Sequence, residues 1–141
     1  MKLVVDASVV AKWLFAEVDS DKARDIYSQA RIHKLSLIAP QILPAEIGSV
    51  LFIRVLRGLL HREEAWALYT RFGLASPALH EISTLSSAAL ELALHYRHSV
   101  YDCLYVALAM REQSDLVTAD QALVRTFRSV FPWVRLLREW P

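Results

Sequence analysis

The sequence predicts an α/β fold, a central parallel sheet of about four to five strands flanked by helices. Three observations predict it. Short continuous apolar runs such as Leu3-Val4-Val5 and Leu116-Val117-Thr118 have the character of strands covered on both faces. These runs alternate with longer helical stretches, as parallel strands joined by crossovers require. The 141 residues are 55% hydrophobic with only 3 Gly and 5 Pro, which suits a single domain over 1–141 and leaves no room for a long flexible linker.

The elements follow in order. Leu3 to Val5 is a strand, and helical pattern runs from Ser8 to Phe15. A second helix is expected from Ser20 to Ile32, with Ser20 or Asp19 as cap and Asp21 in the first turn, where a carboxylate complements the helix dipole. Leu37-Ile38-Ala39 is the next strand, ended by Pro40. Pro44 opens a helix at a position where its missing N–H costs little, and that helix carries Glu46 and runs to Arg57, stopped near Gly58. Arg62 to Phe72 is a helix ended by Gly73, and Leu79 to Ile82 is a strand. Ser86 to Tyr96 is helical, and Ser99 caps a further helix reaching Glu112. Leu116 to Thr118 is a strand, Gln121 to Phe127 a short helix, and Trp133 to Leu137 a last strand.

The totals exclude several classes. A formal net charge of +1 gives no general footprint for a polyanion, so any nucleic-acid contact must come from a local basic patch. Cys103 is the single cysteine, which excludes an internal disulfide or a multi-cysteine zinc site and fits a reducing cytoplasm. Asp6 and Lys12 interrupt the apolar start too early for a signal peptide. The longest stretch without a charge, Leu35 to Ala45, is too short to span a membrane. The expectation is a soluble cytoplasmic protein.

Four acids interrupt segments that otherwise read as core: Asp6 after Val5, Glu46 between Ala45 and Ile47, Asp102 before Cys103, and Asp120 after Ala119. A carboxylate among apolar side chains is costly unless a cation or hydrogen-bond donors compensate it. No equally regular set of Lys or Arg accompanies these four, which points to a bound divalent metal. Asp6 and Asp120 follow strands, whereas Glu46 and Asp102 open helices. Strand carboxyl ends and helix amino ends share one edge of a parallel sheet, so all four can converge there. Taken singly, each acid could equally be a helix cap or a dipole partner. Oxygen ligands without cysteine or paired histidine favour Mg²⁺ or Mn²⁺ over Zn²⁺. Such an ion polarises a phosphoryl oxygen and lowers the pKa of water, so the natural chemistry is phosphate-ester hydrolysis.

The stretches Val4-Val5-Asp6-Ala7-Ser8, Leu43-Pro44-Ala45-Glu46-Ile47, Tyr101-Asp102-Cys103-Leu104-Tyr105 through Ala109, and Leu116-Val117-Thr118-Ala119-Asp120 match a known pattern in order and spacing. The chain resembles PIN-domain ribonucleases, and within them the VapC-type toxins of prokaryotic toxin–antitoxin pairs, from Leu3 to about Leu137. The resemblance implies a Mg²⁺-dependent endoribonuclease with Asp6, Glu46, Asp102 and Asp120 as its acids. It implies Thr118 as the hydroxyl near the metal, with Ser8 as a further supporting donor. It also implies homodimers and a small cognate antitoxin. Some family members carry another acid after the fourth, but here Gln121-Ala122-Leu123-Val124 follow, which leaves one ion or two open.

Other features have plainer readings. Ile47 to Leu60 is apolar on more than one helical face, so it either runs through the domain centre or, with Trp66, Leu68, Tyr69 and Phe72, forms an antitoxin groove or dimer seam. Arg54, Arg57, Arg62, Arg71, Arg125, Arg128, Arg135 and Arg138 are mainly solvating charges from which some could hold RNA phosphates. His95 and His98 have an i, i+3 spacing that could serve a metal, but with no further histidine or cysteine in step they read as a surface pair at a helix end; Cys103 reads as a small buried residue, and Tyr101 and Tyr105 as packing or hydrogen-bonding groups. Two other functions compete: an aspartyl-phosphate phosphatase, which would want an acid where Ser8 stands, and a non-catalytic RNA- or protein-binding module, which has no need of four acids.

Overall fold

The central strand is the first one, and the chain winds outward from it in both directions. A computed structural model describes residues 1–141. Its elements are β1 (Lys2–Val5), α1 (Ala7–Leu14), α2 (Ser20–Arg31), β2 (Ser36–Pro40), α3 (Leu43–Leu56), α4 (Arg62–Ala75), β3 (Ala78–His80), α5 (Ser86–Tyr96), α6 (Val100–Glu112), β4 (Asp115–Thr118), α7 (Gln121–Phe127) and β5 (Val134–Leu136), with single 3-10 turns at Ile82–Thr84 and Leu137–Glu139. The five strands lie in the order β3-β2-β1-β4-β5. Every neighbouring pair is parallel, with Val4 opposite Ile38 on one side and Leu116 on the other. The α/β expectation with a parallel sheet holds.

Burial explains the apolar strand sequences. Leu3, Val4, Val5, Leu116 and Val117 are fully enclosed, because helices cover both faces of the inner strands. Helix α6 is the most deeply set, with Cys103 through Ala109 all buried. Trp13 of α1 donates its indole N–H to the Ala23 carbonyl of α2 at 2.8 Å and packs against Tyr27, which fixes the first two helices together. Tyr96, Phe127, Phe131 and Trp133 form a chain of ring contacts under the C-terminal strand. No helix is long and apolar enough to cross a membrane.

Several boundaries differ from the sequence reading. Helix α4 passes through Gly73 to Ala75, since an interior glycine costs only about 1 kcal/mol and the real stop is Ser76, held extended ahead of Pro77. Strand β3 ends at His80, and Ile82 belongs to a 3-10 turn instead. Arg111 braces that turn, bonding His80 and Thr84 at 3.0 and 2.8 Å. Neither proposed cap serves α2: Asp19 sits at φ 64° without a side-chain cap bond, and the Ser20 hydroxyl closes the preceding turn onto Phe15 and Glu17. Gly58, at φ 73°, does supply the left-handed residue after α3, and Ser99 does cap α6 through the Tyr101 N–H.

The two apolar faces of α3 have different fates. Leu43, Ile47 and Leu51 enter the core. Phe52 and Leu56 stay 63% and 73% exposed, so the purely central helix is ruled out. Beside them, α3 and α4 enclose an open groove of ≈ 470 Å³ lined by Leu51, Phe52, Val55, Arg62, Trp66 and Tyr69, among others.

Candidate functional site

Chain order reverses between β1 and β4: the chain leaves β1 for β2 and β3, then returns to β4 on the opposite side. The crevice beyond the carboxyl ends at such a reversal is where open parallel sheets bind ligands. Asp6 and Asp120 follow these two strands.

Asp6 is the N-cap of α1 and only 8% exposed. Its Oδ1 accepts the Ser8 and Val9 backbone N–H groups at 3.1 and 3.2 Å and the Ser8 hydroxyl at 2.5 Å. Its Oδ2 accepts the Thr118 hydroxyl at 2.5 Å. Each hydroxyl in turn accepts a backbone N–H from the β4–α7 connection, Ala119 N onto Ser8 at 2.9 Å and Asp120 N onto Thr118 at 3.0 Å. Ser8 and Thr118 therefore clasp the ends of two strands around one carboxylate. Burial still dominates its charge state: it pushes the Asp6 carboxyl from 3.8 up to about 6 against the hydrogen bonds from Ser8, Thr118 and Val9, with the Asp102 charge adding to the rise.

Asp120 caps α7, its Oδ1 accepting the Ala122 and Leu123 N–H groups at 2.8 and 3.3 Å. Asp102 lies in the first turn of α6 and contacts His98 Nε2 through Oδ2 at 3.0 Å. One ligand atom from each of His98, Asp102 and Asp120 lies within 4.8 Å of the others. Glu46, in the first turn of α3, accepts the Tyr105 hydroxyl at 2.7 Å. Its carboxyl is held above the ordinary value by burial, opposed by the Tyr105 bond and reinforced by Asp6 and Asp102. Burial and the facing Glu46 push the Tyr105 phenol up, so it remains a donor. The Cys103 thiol is pushed up to about 11 by burial and by Asp102, which leaves it inert.

The structure thus groups Asp102 and Asp120 tightly and ties Asp6 to Thr118, next to Asp120. It couples Glu46 to Asp6 and Asp102 through charge. No Lys or Arg forms an ion pair with any of the four acids. Oxygen donors at this density, partly buried and without a protein cation, fit a hard divalent ion. His98 is the residue that the sequence reading set aside as half of a surface pair. Its side chain is 13% exposed and its ring meets Phe127 edge-on, whereas His95 packs on Tyr96, so the two are no surface pair. The signal was its i,i+4 spacing to Asp102 across the start of α6. Tyr101, by contrast, is 63% exposed and packs little.

Most of the arginines have structural work. Arg54 lies over the Phe15 ring, Arg71 donates to the Trp13 carbonyl, Arg128 pairs with Glu139, Arg135 with Asp115, and Arg138 with Asp19. Arg57, Arg62 and Arg125 have no ion pair within the chain.

A family model described as PIN domain matches residues 3–128. The chain belongs to the PIN domain family. It is 36% identical over 130 residues to a Pyrobaculum aerophilum protein named Ribonuclease VapC3, a match that takes in 90% of this chain and 95% of that one. A crystal structure from the same organism shares the fold with a TM-score of 0.72 at 18% identity, covering 98% of this chain and 93% of its own. In this PIN domain the matched span contains all four acids, His98, Ser8 and Thr118.

Proposed function

We infer that the protein is a divalent-metal-dependent endoribonuclease that hydrolyses RNA phosphodiester bonds as the toxin of a VapBC-type toxin–antitoxin pair. The observation that carries this reading is a set of converging carboxylates at the carboxyl edge of a parallel sheet without a compensating Lys or Arg. The relative named as a ribonuclease supports RNA as the substrate.

The geometry supports a role for each residue. Asp6, Asp102 and Asp120 are the residues to hold Mg²⁺, for which Mn²⁺ would substitute. When bound, the ion supplies charge stabilisation at the phosphoryl oxygens and a lowered pKa for the attacking water. Ser8 and Thr118 fix the Asp6 carboxylate so that both oxygens have defined directions. Glu46, oriented by Tyr105, is a further ligand or aligns the nucleophilic water. Arg57, Arg62 and Arg125 are among the cations without an internal ion pair that are free to hold RNA phosphates. The apolar groove between α3 and α4 supports a protein partner, the small antitoxin or a second copy in a homodimer. One unpaired, buried cysteine supports a cytoplasmic location.

The decisive experiment incubates purified protein with RNA and with single-stranded DNA, in Mg²⁺ and in EDTA. RNA cleavage in Mg²⁺ alone, lost in the Asp6→Asn and Asp120→Asn variants, is the expected result. Undiminished cleavage by either variant, or in EDTA, would overturn the reading.

A further inference from the structure

His98 stands outside the acidic set, yet it faces the middle of it. Its Nδ1 lies 3.3 Å from the Thr126 hydroxyl oxygen, and that hydroxyl donates its one proton to the Ala122 carbonyl at 2.9 Å. The Thr126 oxygen is therefore free only to accept, so Nδ1 must carry the hydrogen it receives. In the neutral ring this leaves Nε2 as a bare lone pair. That lone pair faces Asp102 Oδ2 at 3.0 Å, with Asp120 in the same 4.8 Å group. Nε2 and Oδ2 at that separation share either a proton on the ring or a cation beside them, and no Lys or Arg of the chain supplies that cation. The ring cannot easily turn away, because Phe127 packs against it and its side chain is 13% exposed.

We propose that His98 is itself a metal ligand through Nε2, which makes this a mixed nitrogen and oxygen site that favours Mn²⁺ over Mg²⁺. The inference rests on the reading of Asp102 and Asp120 as metal-holding residues. Mn²⁺ prefers oxygen ligands but, as the first member of the first-row affinity order, gains more from an imidazole than Mg²⁺, which takes carboxylate and water oxygens. Thr126 then fixes the tautomer that a metal-bound histidine requires, the part usually played by a carbonyl or carboxylate behind the ring.

The test loads the intact protein with Mn²⁺ and records electron spin-echo modulation, with calorimetric titrations of Mn²⁺ and Mg²⁺ alongside. Directly bound imidazole produces nitrogen hyperfine coupling, which changes when the histidines are labelled with the heavier nitrogen isotope. His98→Ala should abolish the coupling and weaken Mn²⁺ by about tenfold or more, with Mg²⁺ changed by less than about threefold. Bound Mn²⁺ without nitrogen coupling in the wild type would overturn the inference and leave the carboxylate site standing, and this needs no variant to fold. Equal losses for both ions in His98→Ala would also overturn it, since His98 would then only hold Asp102. A wild type that binds neither ion would overturn the inference together with the metal reading beneath it.

Discussion

Asp6→Asn should stabilise the metal-free protein at neutral pH while destroying its activity. Burial lifts the folded Asp6 carboxyl from 3.8 to about 6, so the folded state holds this proton more tightly than the unfolded chain does. The associated stability is fully present below about pH 4 and is lost as pH rises through about 6, and the gap corresponds to about 3 kcal/mol. The amide is neutral throughout and keeps an oxygen for the Ser8 and Val9 N–H groups. Its NH₂ group turns the Thr118 hydroxyl from donor to acceptor, which takes back about 1 kcal/mol. The net gain at about pH 7.5 is about 2 kcal/mol, or about 6–8 °C in Tm for a chain of this size. Thermal melts in EDTA from about pH 4 to about pH 8 measure it directly. Wild type should fall away from the variant as pH rises, and added Mg²⁺ should restore the wild type more than the variant. Curves that stay parallel across that range would refute the argument that Asp6 carries an uncompensated buried charge.

Two further perturbations probe the supporting contacts. Thr118→Val keeps the shape but strands both an Asp6 oxygen and the Asp120 N–H, so urea unfolding in EDTA should show a loss of about 2–4 kcal/mol that Thr118→Ser largely restores; a loss under about 0.5 kcal/mol would mean the clasp contributes nothing. Tyr105→Phe removes the donor that lowers the Glu46 pKa, so the acid limb of the kcat/KM profile should move to higher pH. An unmoved limb would exclude Glu46 from the titration that controls cleavage.

Much of this was legible from local pattern. The unbroken apolar runs of β1 and β4 and the length of the intervening helices define a parallel sheet, because only strands covered on both faces read that way. The four acids stood out because each breaks such a run. What escaped detection depends on distance in space. His98 looked like half of a surface pair with His95, since only the packing of Phe127 reveals which way its ring turns. Ser20 has the chemistry of a cap but is taken by the turn before it, a competition that composition does not record. Gly73 looked like a stop because glycine often is one, yet the neighbouring Pro77 sets the end of α4. The Tyr105–Glu46 bond joins residues 59 positions apart, so no window along the chain could contain it.

The hydroxyl clasp between Ser8 and Thr118 makes assembly of the site depend on β4, far along the chain. Asp6 is synthesised well before its Oδ2 partner, Thr118, which lies 112 positions later. Strand β1 pairs on one flank with β2 early and waits for β4 on the other. A nascent chain that has made only its first half holds Asp6 and Glu46 without Asp102 or Asp120. Such a chain lacks half of the acidic set, so the site assembles only once α6 and β4 have been made and β4 has paired with β1.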